Sequence, residues 1–374
     1  MDLIPSPDSL GLPAPVWLLL LLHDVTQTIH FLFMNFVLGG SWFLLWLHFG
    51  RKVDWKEQLY QRCLSVLPVA LSMAITFGIG PLLFVQVLYG QFFYTANIIM
   101  GHFWLGLLLI LVIAFYLIYV LKAKSGSDDR FSSPTIRLAL HLAIALSFTL
   151  IALLHTANAV LVLTPEIWEE AYTGSLWGTL LSRSEFLIPR YLHNVVGAIG
   201  IGGLWIVWIG NYRGSLNASD QARSGAVMSL VATFIQMILG FWYLAALPTD
   251  LVKSLMRFDS TLGWHFASSI LVAMPFTVCL FALTVIPCHR LLRWITSGLG
   301  ALLVFAMVVF SEKLRETLLE SHFTLAEWKV DTQWGPILIF LGLFGFGLLV
   351  LAWIAWALWR GFGEPGDPSE EISY

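Results

Sequence analysis

Nine long apolar runs, separated by short polar stretches, organise this chain: about 16–49, 60–88, 98–121, 135–163, 186–210, 224–247, 261–287, 291–311 and 334–359. A hydrocarbon layer about 30 Å thick takes about 20 helical residues to cross. Inside it only helices or a closed barrel satisfy every backbone N–H and C=O, and these runs are too long for barrel strands. The pattern therefore predicts nine transmembrane helices. The first run exceeds one straight span, so Val16 to Leu22 is expected to lie along the interface before the helix turns inward near Asp24. In the second run, Gly78-Ile79-Gly80-Pro81 is the one clear helix breaker.

Composition narrows the class. Of 374 residues, 58% are hydrophobic and 11% charged, with a mean hydropathy of +0.80, against about 25% charged in an ordinary soluble domain. That excludes a soluble enzyme and a disordered regulator. A net charge of -3 offers no basic face, so nucleic acid is not an expected partner. With the N-terminus outside, 13 lysines and arginines fall on the cytoplasmic side and 7 on the outer side, so the positive-inside rule reads the chain as N-out and C-in. The expected fold is all-α, a polytopic membrane helix bundle forming one domain over residues 1–361, with 362–374 a polar cytoplasmic tail. No positive segment precedes the first apolar run, so a cleaved signal peptide is not expected. Cys63, Cys279 and Cys288 form no CxxC or CxxCH pattern, which leaves covalent haem attachment and a zinc site unsupported.

Function then rests on polar residues within the spans, where ionisable groups are costly and functional by default. Among ten histidines, His48 and His289 sit at cytoplasmic helix ends and His322 in an outer loop, where solvation accounts for them. His23, His30, His102, His193 and His265 fall inside spans near the outer side. A haem is a wide flat ring, and small residues at i+4 and i+7 on its ligand's helix face make room for it. His193 is followed in this way by Gly197 and Gly200, His102 by Gly106, and His265 by Ser269 with Ser268 beside it. Such residues also let membrane helices pack closely; their recurrence at three sites of similar depth favours haem. His30, within an HFLF setting, is a better ligand than His23, seven residues earlier. His155, followed by Asn158 and Ala159, reads as a ligand, a haem-propionate partner or a helix-to-helix hydrogen bond, and His141 as an interfacial or packing residue. Glu312 alone reads as the first charge of an outer loop. Trp55, Trp264, Trp328 and Trp334 fit an interfacial aromatic belt, and Tyr89, Tyr94 and Tyr243 read as packing residues before aids to electron or proton transfer.

Several stretches resemble subunit I of the cytochrome bd quinol oxidases, in the right order along the chain. Ile29-His30-Phe31-Leu32-Phe33 with Leu38-Gly39 resembles the family's first-span haem-ligand segment, and Phe77-Gly78-Ile79 its second span. Leu154 to Pro165 resembles the end of the fourth span, and Leu192-His193 running into Gly197 and Gly200 resembles the fifth-span segment that ligates the low-spin b haem. Ser311-Glu312-Lys313-Leu314-Arg315 resembles the eighth-span Ala-Glu-x-x-Arg, whose Glu ligates a high-spin haem. The resemblance thus implies iron ligands at His30, His193 and Glu312. It departs in three places. The two acids of the family's third span correspond to His102 and Ile110, the seventh-span Met is replaced by His265 as nearest donor, and only Pro248 to Ser260 stands where the family has a long quinol-binding loop.

What the resemblance implies is an integral protein of a bacterial inner membrane, carrying two or three b-type haems at His30, His102, His193, His265 and Glu312. His193 and His265 would form a bis-His pair, with Arg190 and Arg315 either pairing with haem propionates or standing as ordinary interfacial arginines. Haem d is compatible with the same residues. Electrons would pass between quinol or a periplasmic c-type cytochrome and the buried haems, beside a second membrane subunit, with reduction of O2 or NO at any iron left open. The alternatives are a proton or ion transporter with buried histidines, and a haem-free membrane anchor of an electron-transfer complex.

Overall fold

Side chains with no polar partner to seek favour the helix in lipid, and each apolar run is one in the computed structural model, which describes residues 4–49, 53–126, 133–212 and 214–361. The helices are α1 (Val16–His48), α2 (Asp54–Leu88), α3 (Gly90–Ile99), α4 (Gly101–Gly126), α5 (Pro134–Leu163), α6 (Trp168–Thr173), α7 (Leu176–Arg183), α8 (Leu187–Gly210), α9 (Ala218–Ala245), α10 (Thr249–Leu255), α11 (Thr261–Val285), α12 (Arg290–Leu319) and α13 (Trp334–Gly361). Nine of them are long and apolar enough to cross a membrane. Among the described residues the sole strand-like pairing is an isolated bridge between Leu12 and Val330. The expected tail at 362–374 lies outside the described residues.

Two local expectations are corrected. α1 runs unbroken from Val16 to His48, with no interfacial turn near Asp24. Its polar residues feed their hydrogen bonds back into the helix: Thr26 Oγ1 donates to the Leu22 carbonyl and Thr28 Oγ1 to that of Asp24, both at 2.7 Å. α2 likewise continues through Gly78-Ile79-Gly80-Pro81, with Pro68 and Pro81 inside it. Membrane helices tolerate such residues where neighbours absorb the freed backbone groups. The two glycines have another purpose. A Cβ on Gly78 would lie 3.0 Å from the His30 ring, and one on Gly80 3.1 Å from Thr26 Cβ. They are a seat for α1.

α1 is the hub. It packs against α2, α5, α8 and α12. On one side α1, α2, α4 and α5 close into a ring of neighbours, and on the other α1, α8, α9, α11 and α12 do the same. Glycines set the closest approaches. A Cβ on Gly39 of α1 would meet the Ala198 carbonyl oxygen at 2.7 Å, and one on Gly203 of α8 the Gly225 carbonyl oxygen at 2.6 Å, the close-backbone contact by which membrane helices associate. Tryptophan N–H groups pin the same joints: Trp205 donates to the Leu32 carbonyl and Trp208 to Ser297.

The short helices α3, α6, α7 and α10 are too brief to register as apolar runs. With the helix ends, they share a core that includes Leu88, Phe92, Met100, Trp168, Leu255 and Leu319. Trp328 belongs to this core rather than to an interfacial belt, since it is buried and donates to the Leu88 carbonyl at 3.0 Å. Leading into α1, Leu12 exchanges backbone hydrogen bonds with Lys329 and Asp331. α13 stands apart, with no buried residue in its most apolar stretch and Phe340 resting edge-on against Phe84.

Overpacking a tight site costs roughly 1–3 kcal/mol, more where the obstacle is backbone. Gly203→Ala is therefore expected to lower the melting temperature in detergent clearly. Gly106→Ala, with nothing within 4 Å of the new methyl, should leave it unchanged or raised. Equal melting temperatures for the two variants would contradict the packing described.

Candidate functional site

His30 lies at the heart of the α1–α2–α4–α5 ring. Its Nδ1 is 2.8 Å from the Ala74 carbonyl oxygen of α2. A carbonyl only accepts, so Nδ1 carries the proton and Nε2 presents its lone pair. The missing side chain of Gly78 lets the ring press against α2 in that orientation. An imidazole whose outer nitrogen is held by a carbonyl is the usual arrangement of a metal-ligating histidine. His155 of α5 is within electrostatic reach of His30. It lies among the helices and keeps exposed surface. The Trp104 ring stands edge-on to it at 5.1 Å. Trp104 Nε1 and Asn158 Oδ1, beside it, are buried with no hydrogen-bond partner.

On the other side of α1, His193 of α8 faces α9. Its Nε2 is 3.4 Å from the Gln236 side-chain nitrogen, and its Nδ1 is buried without a partner. Gly240 and Tyr243 lie beside the ring. One turn back, Arg190 is half-buried with Nη1 likewise unpartnered. His265 of α11 is within electrostatic reach of Lys313, Glu316 and Asp24. No described contact joins it to His193. His102 is exposed in the first turn of α4, and no described residue hydrogen-bonds to it.

The small residues near these histidines are explained by packing. Gly197 and Gly200 press against Gln236, Ala232 and Ser229 of α9. Ser268 and Ser269 both donate to the His265 carbonyl, at 2.8 and 3.0 Å. They make room for helices and hydrogen bonds, so the spacing carries no haem signal at those two sites. His141 is a satisfied core histidine: Nδ1 donates to the Arg137 carbonyl at 2.6 Å and Nε2 accepts from the Tyr60 hydroxyl at 3.0 Å.

Glu312 lies within α12, which continues to Leu319, and is 2% exposed. It is a core acid, not the start of a loop. Arg315 Nη1 donates to Oε2 at 2.5 Å and the Tyr89 hydroxyl to Oε1 at 2.7 Å. Burial and the neighbouring carboxylate push the Tyr89 phenol up, so it stays protonated and donates. His23 Nδ1 is 3.7 Å from Oε2 and 3.1 Å from Asp24 Oδ1. His23, Asp24 and Glu312 can bring a ligand atom each within 4.8 Å of one another, a spacing that suits a metal ion. The donors already on Glu312 oppose that use: the Arg315 guanidinium would repel a cation, and both carboxylate oxygens are engaged. As arranged, Glu312 does not fit an iron ligand and Arg315 is not free for a propionate. Sequence reasoning weighed His23 and passed it over, set Tyr89 aside as packing, and gave Asp24 no part in a site. The acidic and basic residues flanking the Glu were its only trace of the network.

Truncating one partner of a buried ion pair typically costs about 3–5 kcal/mol, and losing a hydrogen bond to a charged group about 1.5–3 kcal/mol. Arg315→Ala is thus expected to destabilise the protein in detergent more than Tyr89→Phe. Adding Glu312→Gln to Arg315→Ala should recover part of the loss, which thermal unfolding of the three variants would read.

No known family profile matches the chain, and no curated protein matches it in sequence. Among solved structures it is similar to the structure of bd oxidase from Geobacillus thermodenitrificans, with a TM-score of 0.69 and 11% identity over 94% of this chain and 99% of that one. At that identity the likeness is one of fold: a bd-oxidase-like membrane helix bundle.

Proposed function

We propose that this chain is a haem-bearing membrane redox subunit of the cytochrome bd type, resembling subunit I, in a bacterial inner membrane. The observation that carries the reading is His30, whose Nδ1–H donates to the Ala74 carbonyl so that Nε2 keeps its lone pair, on a helix that belongs to a ring of four. Haem iron held there would supply one-electron chemistry. The chain would supply ligand, orientation and a dry surround.

His193 is the candidate for a second haem, paired with His265 as the resemblance suggests, and Arg190 is the better propionate partner. Its unpartnered Nη1 suits charge-assisted bonding to a carboxylate, whereas Arg315 is committed to Glu312. His102 and Glu312 find less support as ligands, the one for its exposure and the other for its occupied oxygens. Two b-type haems are the resulting count. Electrons would enter from quinol or a periplasmic c-type cytochrome, beside a second membrane subunit. The transporter alternative, which rests on the buried histidines, gains no support from a broken helix at Gly78 to Pro81, because α2 is continuous there.

Purified protein should be red, with two b-type haems per chain by pyridine haemochrome. His30→Ala should lose one of them, and His48→Ala none. A colourless preparation from haem-replete cells would reject the proposal.

A further inference from the structure

The His30 ring leaves a second imidazole unexplained. His155 is on α5, packed directly against α1, and is close enough to interact electrostatically with His30. None of the described residues forms a hydrogen bond with it. Its ring nitrogens are therefore open to a ligand, and the ring keeps exposed surface. Beside it, Trp104 Nε1 and Asn158 Oδ1 are buried and unpartnered. Unlike His193, which meets Gln236, and His141, which is satisfied at both nitrogens, His155 meets the edge-on Trp104 ring and keeps exposed surface.

We infer that His155 is the second axial ligand of the haem held by His30, so that this iron is six-coordinate between α1 and α5. The inference rests on the proposed haem at His30 and extends it. Two neutral imidazoles with free nitrogen lone pairs match what a bis-imidazole iron requires, and Asn158, one turn along from His155, brings a polar group to the same end of α5. An iron closed on both faces relays electrons and offers no position to O2, NO or CO. Any gas chemistry in the assembly would then belong to another haem or another subunit.

The test uses full-length protein purified with its haems. In wild type, electron paramagnetic resonance of the oxidised protein should show the His30 haem as low-spin, and CO should not bind it after reduction. His155→Ala should convert that haem from low-spin to high-spin with its amount retained, and each chain should gain one CO-binding haem. His155→Met, which keeps bulk and supplies a thioether ligand, should restore the low-spin state, block CO and shift the midpoint potential upward. The Met variant also covers the case in which the alanine protein does not fold. Unchanged low-spin content and CO stoichiometry in both variants would overturn the assignment while leaving the haem at His30 intact. A wild-type protein that lacks haem, or a His30→Ala protein that loses none, would instead overturn the reading beneath it.

Discussion

A polar group inside a hydrocarbon layer has no water to fall back on, so it must find its partner within the protein. That constraint shapes the whole molecule. Serine and threonine hydroxyls along α1, α2 and α5 return their hydrogen bonds to carbonyls one turn back. Indole N–H groups join neighbouring helices. The buried carboxylate of Glu312 gathers an arginine and a tyrosine around itself. Against this background the side chains left unpartnered stand out, among them Trp104 and Asn158 beside His155, and Arg190 beside His193.

Much of the architecture was legible in the residues. Lipid enforces long apolar helices, and the nine runs differ from the helices by up to eight residues at their ends, most at the end of α12 that holds Glu312. Departures arose where local chemistry was read without its neighbour. Gly80-Pro81 resembles a stop, and only the presence of α1 shows that the glycine is a contact surface. α3 and α10 are short caps whose apolar residues serve a core assembled from distant segments. Such elements owe their helicity to packing, and no window of sequence holds that information.

The site was legible in the same uneven way. His30 stood out by its apolar surroundings, but the carbonyl that fixes its tautomer, that of Ala74, is on another helix. Glu312 stood out by resemblance, but its partner Tyr89 is 223 residues away in the chain. The glycines beside His193 had two readings of equal form, room for a ring or room for a helix. The distance to α9 decides between them. A motif of small residues states that something comes close; it does not state what.

α1 belongs to both halves of the bundle. It carries His23, bound into the acidic network, and His30, seated on α2, about 10 Å apart along one rigid axis. Rolling this helix by a single residue, about 100°, would unseat both rings together, and sliding it would drag both in the same direction. The two chambers are therefore geared to a common shaft. A disturbance at the mouth of the bundle reaches its interior without passing through any intervening chain of contacts.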